Sequence, residues 1–526
     1  MQEPPVSEYD KFAYPSAVYS QTHPERLAVI ATLMGVRPVS IERARVLELG
    51  CGDGNNVITM ACTLPGSNFL GIDLAVEPIR RGQELIADLG LKNVVLRQMN
   101  VLEALPDLGT FDYIIAHGLY SWVPEPVREK ILALCREHLS EYGVAYISYN
   151  AYPGCHLREA TRRMMQFHIP QSSEPQEQVR QARVFLKFLA EAKSKPGHWQ
   201  GVVQNQFERL EKYNDGGFFH DDLSPVYQPF YFYEFMEAAA RHQLKFLGES
   251  DLCDMQPDGL TEEALQIVRK MESVNLIARE QYLDFISGRG FRQTLLCRQE
   301  QRPDHEPKPE RVFGLFAAGD TAPVNPEADH AAPGLEDFRR GKIVIATSQP
   351  MLKSSLKFLG EIWPRRVPFA ELLKKARERA GLHNNSSEAS LESDQRDLGE
   401  FLLRCFSVSF VDLHAYPSTF VTEISDRPMA SPLVRRQVRN SPIAASLRHL
   451  SLKIEDALGR ELLRLLDGTR DRAALLEELG KTVASGATPI YCDGNRVTDP
   501  KKALELLASQ LETSLANLAK AGVLVG

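Results

Sequence analysis

The stretch RVLELGCGDGNN, residues 45–56, decides the fold. An apolar run, Val46 to Leu49, breaks into Gly50, Gly52 and Gly54, with Glu48 before them and Asn55 and Asn56 after. The run has the length and aliphatic character of a buried strand, and the asparagines open a helical pattern. Glycines packed into a strand-to-helix turn mean that backbone passes close to something side chains would exclude. A tight turn alone is one explanation; a nucleotide-like ligand lying across it is the other.

Working outward, strand-like runs recur at FLGIDL (69–74), VVLRQMN (94–100), FDYIIAHG (111–118) and GVAYISYN (143–150). Between them lie the helical patterns NNVITMACTL, PIRRGQELIADLG and PEPVREKILALCREHLSEYG, the last placing Val127, Ile131, Leu134 and Leu139 on one face. Such alternation predicts an α/β fold, a doubly wound Rossmann-like sheet that binds ligands outside the carboxyl ends of its strands. Gly50, Gly52 and Gly54 then occupy the first strand-to-helix turn, and Asp73 ends the second strand. An acidic group there accepts both hydroxyls of a ribose. The spacing is Gly-x-Gly-x-Gly rather than the Gly-x-Gly-x-x-Gly of a dinucleotide fingerprint, and no Gly-Lys-[ST] follows. Together the glycine turn and Asp73 predict S-adenosyl-L-methionine (AdoMet), not NAD.

The remaining chain divides by composition. Residues 1–156 form the expected AdoMet-binding core, and the charged, helical stretch 157–230 is an insertion and the candidate for dimerisation. Within 231–300, LKFLGES (244–250) and FRQTLLCRQ (291–299) are expected to complete the sheet, with QPFYFYEF (228–235) as a further strand-like run. A Pro- and Glu-rich linker is expected over 301–335, then a middle domain over 336–430, broken by the polar, mobile loop HNNSSEASLESDQ (383–395). Residues 431–526 read as a winged-helix-like α+β domain, with Thr469 as a helix N-cap.

Bulk numbers set bounds. A chain of 526 residues is too long for one core, and 43% hydrophobic with 25% charged residues is ordinary for a soluble protein. The net charge of −8 argues against a general nucleic-acid binder. The basic run LVRRQVRN (433–440) is read as a solvated face ahead of a DNA contact. No stretch is apolar enough to span a bilayer, and MQEPPVSEYDKFAYPS lacks the pattern of a secretory signal. The eight cysteines lie singly, without Cys-x-x-Cys. A cytoplasmic location and no metal site are expected.

VLELGCGDGNN, FLGIDLA, FDYIIAHGLYSWVP and GVAYISYNAYPG resemble class I AdoMet-dependent methyltransferases that carry a methyltransferase regulatory domain. The resemblance is to the rickettsial-type lysine methyltransferases that modify outer-membrane proteins. It extends over the first 300 residues, through YPSAVYSQTHPERLA, FYFYEF and FRQTLLC, and more loosely beyond. It implies that Gly50, Gly52 and Gly54 approach the amino-acid and ribose parts of AdoMet, that Asp73 holds the ribose, and that Glu48 orders the loop or reaches the cofactor ammonium. The third strand ends MNV, where such enzymes more often carry Asp; Asn100, followed by Val101, accepts the adenine amino group through its amide oxygen instead. Gln21 and His117 complete the implied cofactor set. The implied acceptor is a protein, an outer-membrane protein precursor, and a homodimer is expected.

The reacting methyl is expected near the ends of the fourth and fifth strands, AHGLYSWVP and SYNAYPG. Tyr149, Asn150, His117 and Tyr120 are the catalytic candidates there, beside Trp122, which is read as packing, and Tyr152. The N-terminal Tyr9, Tyr14, Tyr19, Gln21 and His23 are candidates for a lid. Lysine near pKa 10.4 is only about 0.1% neutral at pH 7.4, so aromatic walls that desolvate the ammonium suit this chemistry. The aromatic and acidic cluster 218–235 is read as an inter-subunit core, or as a receiver for a basic peptide. Cys51 has no histidine context to make it a nucleophile. Two other functions stay open: a small-molecule N- or O-methyltransferase, and an AdoMet-sensing regulatory module without turnover.

Overall fold

The computed structural model describes residues 8–526 apart from 104–107, 171–173, 194–196, 258, 273–274, 328–331, 383–386, 486–487, 489–490, 493–494 and 498. Its centre is a seven-stranded sheet of β1 (Arg45–Leu49), β2 (Asn68–Asp73), β3 (Val94–Gln98), β4 (Phe111–Ala116), β5 (Leu139–Asn150), β6 (Leu244–Glu249) and β7 (Phe291–Arg298). The order is β3-β2-β1-β4-β5-β7-β6. The first five strands run parallel, and β7 is antiparallel to both β5 and β6. The strand order reverses between β1 and β4. A crevice therefore opens at their carboxyl ends, the place where such sheets bind ligands.

Helices α1 (Glu8–Lys11) and α2 (Pro24–Leu33) precede the sheet, and α3 (Asn55–Thr63), α4 (Val76–Leu89) and α5 (Glu125–His138) make the crossovers. Between β5 and β6 come α6 (Cys155–His168), α7 (Pro175–Glu191), α8 (His198–Glu211), α9 (Asp215–Phe218), a π-helical turn at Phe219–Leu223, and α10 (Phe232–Arg241). Met165, Val179, Leu186, Leu210 and Phe218 give the insertion a small core of its own.

Several local expectations change. QPFYFYEF is not a strand: Phe232, Phe235, Met236 and Ala239 are buried at helical spacing, and the Glu234 side chain accepts from the Tyr231 amide at 2.9 Å where α10 starts. β5 begins at Leu139, so the preceding helix is shorter than its apolar spacing suggests. Residues 301–335 are more than a linker. Phe316–Ala318 is the central strand of a small antiparallel sheet between Val367–Pro368 and Asp412–His414. Its neighbours Val312 and Leu315 join the same core as the main sheet, as do Phe338, Leu356, Phe369 and Leu402. Proline and acid content reported extended backbone there, not absence of packing. From Glu388 the polar loop is a helix, Glu388–Ser407, capped by the Ser387 side chain, while 383–386 lie outside the described residues. Asp471 rather than Thr469 caps the helix Arg472–Ala484.

The C-terminal domain has a separate core of Val434, Leu462, Leu463, Leu475, Leu511, Leu515 and Val523. Among the described residues no helix is long and apolar enough to cross a membrane.

Candidate active site

The loop after β1 is tied to β2: the Gly50 and Cys51 amides donate to the Ile72 carbonyl at 2.8 and 3.1 Å. Gly50, Gly52 and Gly54 have φ of +71°, +57° and +73°, a region that side chains disfavour. Their surroundings separate their roles. A Cβ on Gly54 would lie 2.5 Å from Leu96 Cδ1, so a side chain there would have to displace the buried Leu96 as well as adopt the disfavoured φ. A Cβ on Gly52 would meet nothing within 4 Å. That crest is open to a ligand.

Carboxylates surround the crest. Asp73 accepts from the Gly52 amide through Oδ2 and from the Ala75 amide through Oδ1, both at 2.8 Å. Burial raises its pKa. Asp53 accepts from the Asn55 amide at 3.1 Å. Glu48 is buried beneath the loop, with Oε1 on the Asn56 side-chain amide at 2.7 Å and Oε2 completing no hydrogen bond. Burial, reinforced by the charges of Asp53 and Asp73, lifts the Glu48 pKa to about 7, although Asn56 and the Val57 amide pull it down. No lysine or arginine pairs with these three acids among the described residues. An open glycine crest, an acid at the ribose position and a buried carboxyl without a cation fit AdoMet, which carries a ribose, an ammonium and a sulfonium.

The His117 and Tyr19 rings pack against each other at the end of β4. His117 Nδ1 is 2.9 Å from the Tyr146 hydroxyl and 3.3 Å from Ser148 Oγ. The Tyr146 proton goes to Gln293 Oε1 at 3.0 Å, so His117 donates through Nδ1 and keeps a lone pair on Nε2. Burial lowers the His117 pKa to about 4, making it neutral at physiological pH. The Tyr19 ring lies 4.0 Å from His117, while its amide donates to Asn56 Oδ1 at 3.0 Å. Tyr19 therefore bridges the helix after the glycine loop and the end of β4. Its pKa is pushed up to about 12 by burial, then by the charges of Asp221, Glu48 and Asp53.

Two catalytic expectations are corrected. Tyr149 and Tyr120 are fully buried in an aromatic cluster: Tyr149 stacks on Phe235 at 4.2 Å, and Tyr120 lies 5.3 Å from the same ring and 5.4 Å from Phe230. The Tyr149 hydroxyl bonds Thr294 Oγ1 at 3.2 Å. Side chains alternate along a strand, so Tyr146 and Ser148 reach His117 while Tyr149 packs on the opposite face. Asn150 is buried with its amide hydrogen on Ser121 Oγ at 2.9 Å and its side-chain oxygen 3.4 Å from Arg158. Trp122 packs on Tyr227 at 5.1 Å. Asn100 Oδ1 accepts from the Leu102 amide at 3.0 Å, with a lone pair to spare, and Val101 opens the short turn that follows. Gln21 lies half-buried in the turn Ser20–Thr22, two residues after Tyr19. The cluster 218–235 forms core within this chain: Phe218, Phe219 and Leu223 pack in the insertion, and Asp222 pairs with Arg158 and Arg209.

Sequence reasoning missed the contribution of the C-terminal domain. Asn56 uses its whole amide: Nδ2 donates to Glu48 and to Thr22 Oγ1, and Oδ1 accepts from the Tyr19 amide and from His449 Nε2 at 2.8 Å. Gln437 donates to Asn55 Oδ1 at 2.6 Å, and Arg436 pairs with Asp88 at 2.7 Å. The basic run 433–440 thus faces the methyl-donor domain. Asn55 and Asn56 stood in the quoted motif, but nothing local announced partners some 390 positions away.

A crevice of this topology, with a glycine crest and an acid ending β2, is that of a class I AdoMet-dependent methyltransferase. Comparisons agree. A methyltransferase domain model matches residues 46–143, a predicted methyltransferase regulatory domain matches 214–298, and the C-terminal winged-helix domain of PKMT matches 426–523. An uncharacterised Rickettsia prowazekii protein is 28% identical over 511 residues, covering 95% of this chain and 90% of that one. A second from the same organism is 34% identical over 240 residues, covering 45% of this chain and 96% of that one. PKMT2 from Rickettsia typhi, solved in complex with AdoHcy, superposes with a TM-score of 0.86 at 26% identity, over 98% of this chain and 100% of its own. The chain belongs to the rickettsial-type class I methyltransferases, and AdoMet is its methyl donor.

Proposed function

We propose that this methyltransferase modifies lysine side chains of a protein, with an outer-membrane protein precursor met in the cytoplasm as acceptor. The observation that carries this reading is the lined approach to the crevice: Tyr19 and neutral His117 at its mouth, with Tyr14 and Asp221 beyond. Similarity to PKMT2 and to the PKMT winged-helix domain supports a protein acceptor. The insertion exposes Phe167, Val184 and Phe188 on α6 and α7, which supports dimerisation through that face.

Bound AdoMet supplies an electrophilic methyl, which the acceptor nitrogen takes as its lone pair forms the new bond and the sulfur keeps the old bonding pair. The chain's own task is alignment and exclusion of water. We assign Asp73 to the ribose hydroxyls, Glu48 to the ammonium, Gly50 and Gly52 to close backbone approach, and Asn100 with Val101 to the adenine. Gln21 and the Tyr19 ring cover the bound donor. The free lone pair of His117 Nε2 accepts an N–H of the incoming amine and fixes its direction; with a pKa near 4 it orients rather than deprotonates. Asn150 supports Arg158 at the end of β5.

Labelled methyl from AdoMet, followed into lysate protein and small-molecule fractions, tests this. Label in protein that yields methyl-lysines on hydrolysis supports the proposal. Label confined to small molecules, or on another residue type, overturns it.

A further inference from the structure

The π-helical turn Phe219–Leu223 holds two adjacent acids in opposite circumstances. Asp222 is fully buried and takes Arg158 on both oxygens, at 2.9 and 3.2 Å, and Arg209 at 2.8 Å. The Asp221 backbone carbonyl takes Arg158 at 2.9 Å and also Arg162. Guanidinium groups therefore pin the turn through Asp222 and the backbone. The Asp221 carboxylate itself has no ion pair among the described residues. Its bonds are to the Tyr14 hydroxyl, which donates at 3.3 Å to Oδ2 and 3.4 Å to Oδ1. Asp221 is partly exposed, and the rings that flank it open to solvent, with Tyr9 and Tyr14 each 40% exposed.

The turn is also tied to the end of β5. Arg158 joins it to Asn150 at the end of β5, 3.4 Å away. On the other side, after burial, Asp221 is the leading cause of the raised pKa of Tyr19, whose ring rests against His117 at the end of β4. Tyr9 stacks on His220 at 4.1 Å and lies 6.3 Å from Tyr14, so aromatic faces gather on this turn around a carboxylate that has no ion pair among the described residues. Ring faces and a carboxylate together recognise an ammonium group.

We infer that Asp221, with the Tyr14 hydroxyl bonded to it and the Tyr9 ring alongside, is the docking point for the ammonium group of the acceptor side chain. This rests on the lysine reading above and adds the residues that select the amine. Burial, with the Asp222 charge, raises the Asp221 pKa to about 6 against the pull of Arg158, so the carboxylate is ionised at neutral pH. An arriving ammonium supplies the counter-charge that the arginines leave to Asp222. No covalent bond is made or broken at Asp221. It holds the ammonium form, and the attacking amine forms when water takes the proton.

The test uses full-length protein saturated with AdoHcy, titrated with Nα-acetyl-lysine methylamide and, separately, with its uncharged norleucine isostere. Wild type should bind the lysine probe and not the isostere. Asp221→Asn should weaken lysine-probe binding by roughly tenfold or more, and Tyr14→Leu should weaken it too, while both retain wild-type AdoHcy affinity. Glu211→Gln, an exposed acid of the same insertion, should change nothing. Wild-type probe affinity in Asp221→Asn overturns the assignment even where hydrolysates contain methyl-lysine. If wild type ignores the lysine probe and the methyl label sits on another residue type, the lysine reading itself fails first.

Discussion

The proposed role of Glu48 at the AdoMet ammonium predicts a pH dependence of cofactor binding of calculable size. Burial beside Asp53 and Asp73 raises its pKa from 4.5 to about 7. A folded-state pKa above the unfolded value means stability that is fully present below pH 4.5 and lost as pH rises through 7, about 3 kcal/mol in total. If Glu48 holds the AdoMet ammonium as proposed, it does so in its ionised form, and binding expels the proton. Apparent affinity is then reduced about elevenfold at pH 6, about twofold at pH 7 and hardly at all at pH 8. Titration calorimetry at these three pH values, in buffers of different ionisation heat, should show a roughly tenfold weaker Kd at pH 6 than at pH 8, with proton release on binding. Glu48→Gln retains an oxygen for Asn56 but cannot titrate. Its profile should be flat between pH 6 and 8, its affinity at pH 8 lower, and its unliganded form more stable than wild type at pH 8. His117, near pKa 4, titrates below this window. Asp221, near 6, titrates inside it, so the slope must survive in Asp221→Asn. The same slope in Glu48→Gln as in wild type, or no slope in wild type, refutes the reasoning.

Gly52→Ala places a methyl in open space at φ +57°, so thermal melting should fall by only a few degrees, a strain of about 1–2 kcal/mol, while calorimetric AdoMet binding is lost. Tyr149→Phe removes the hydroxyl bond to Thr294 and should cost about 1 kcal/mol of stability with kcat unchanged; a tenfold fall in kcat would restore a catalytic role. His449→Ala frees Asn56 at the head of α3, and should weaken AdoMet binding several-fold and increase proteolytic cleavage between the two cores, read by calorimetry and limited proteolysis.

The alternation of aliphatic strands and amphipathic helices was legible because central parallel strands are buried on both faces and keep near-continuous apolar runs. The glycine turn and Asp73 were legible because left-handed φ values and an acid at the β2 end leave fixed residue types. Which face of β5 turns towards His117 was not legible. Both faces are buried, so Tyr146 and Ser148 on one side, and Tyr149 on the other, look equivalent until the register is known. Aromatic content made α10 look like a strand, whereas burial of Phe232, Phe235 and Met236 at helical spacing settles it. His449 and Gln437 were invisible for a different reason: their partners Asn56 and Asn55 lie across a domain contact that carries no local periodicity.

The central claim, that one cradle between β1, β2 and β4 holds the donor, is tested most directly by a crystal structure of this chain with AdoHcy. The ribose hydroxyls should lie within hydrogen-bond distance of Asp73, the ammonium beside Glu48, and the sulfur near Tyr19 and His117. A nucleoside bound away from Asp73, or a ligand that leaves the Gly52 crest uncovered, would contradict the account.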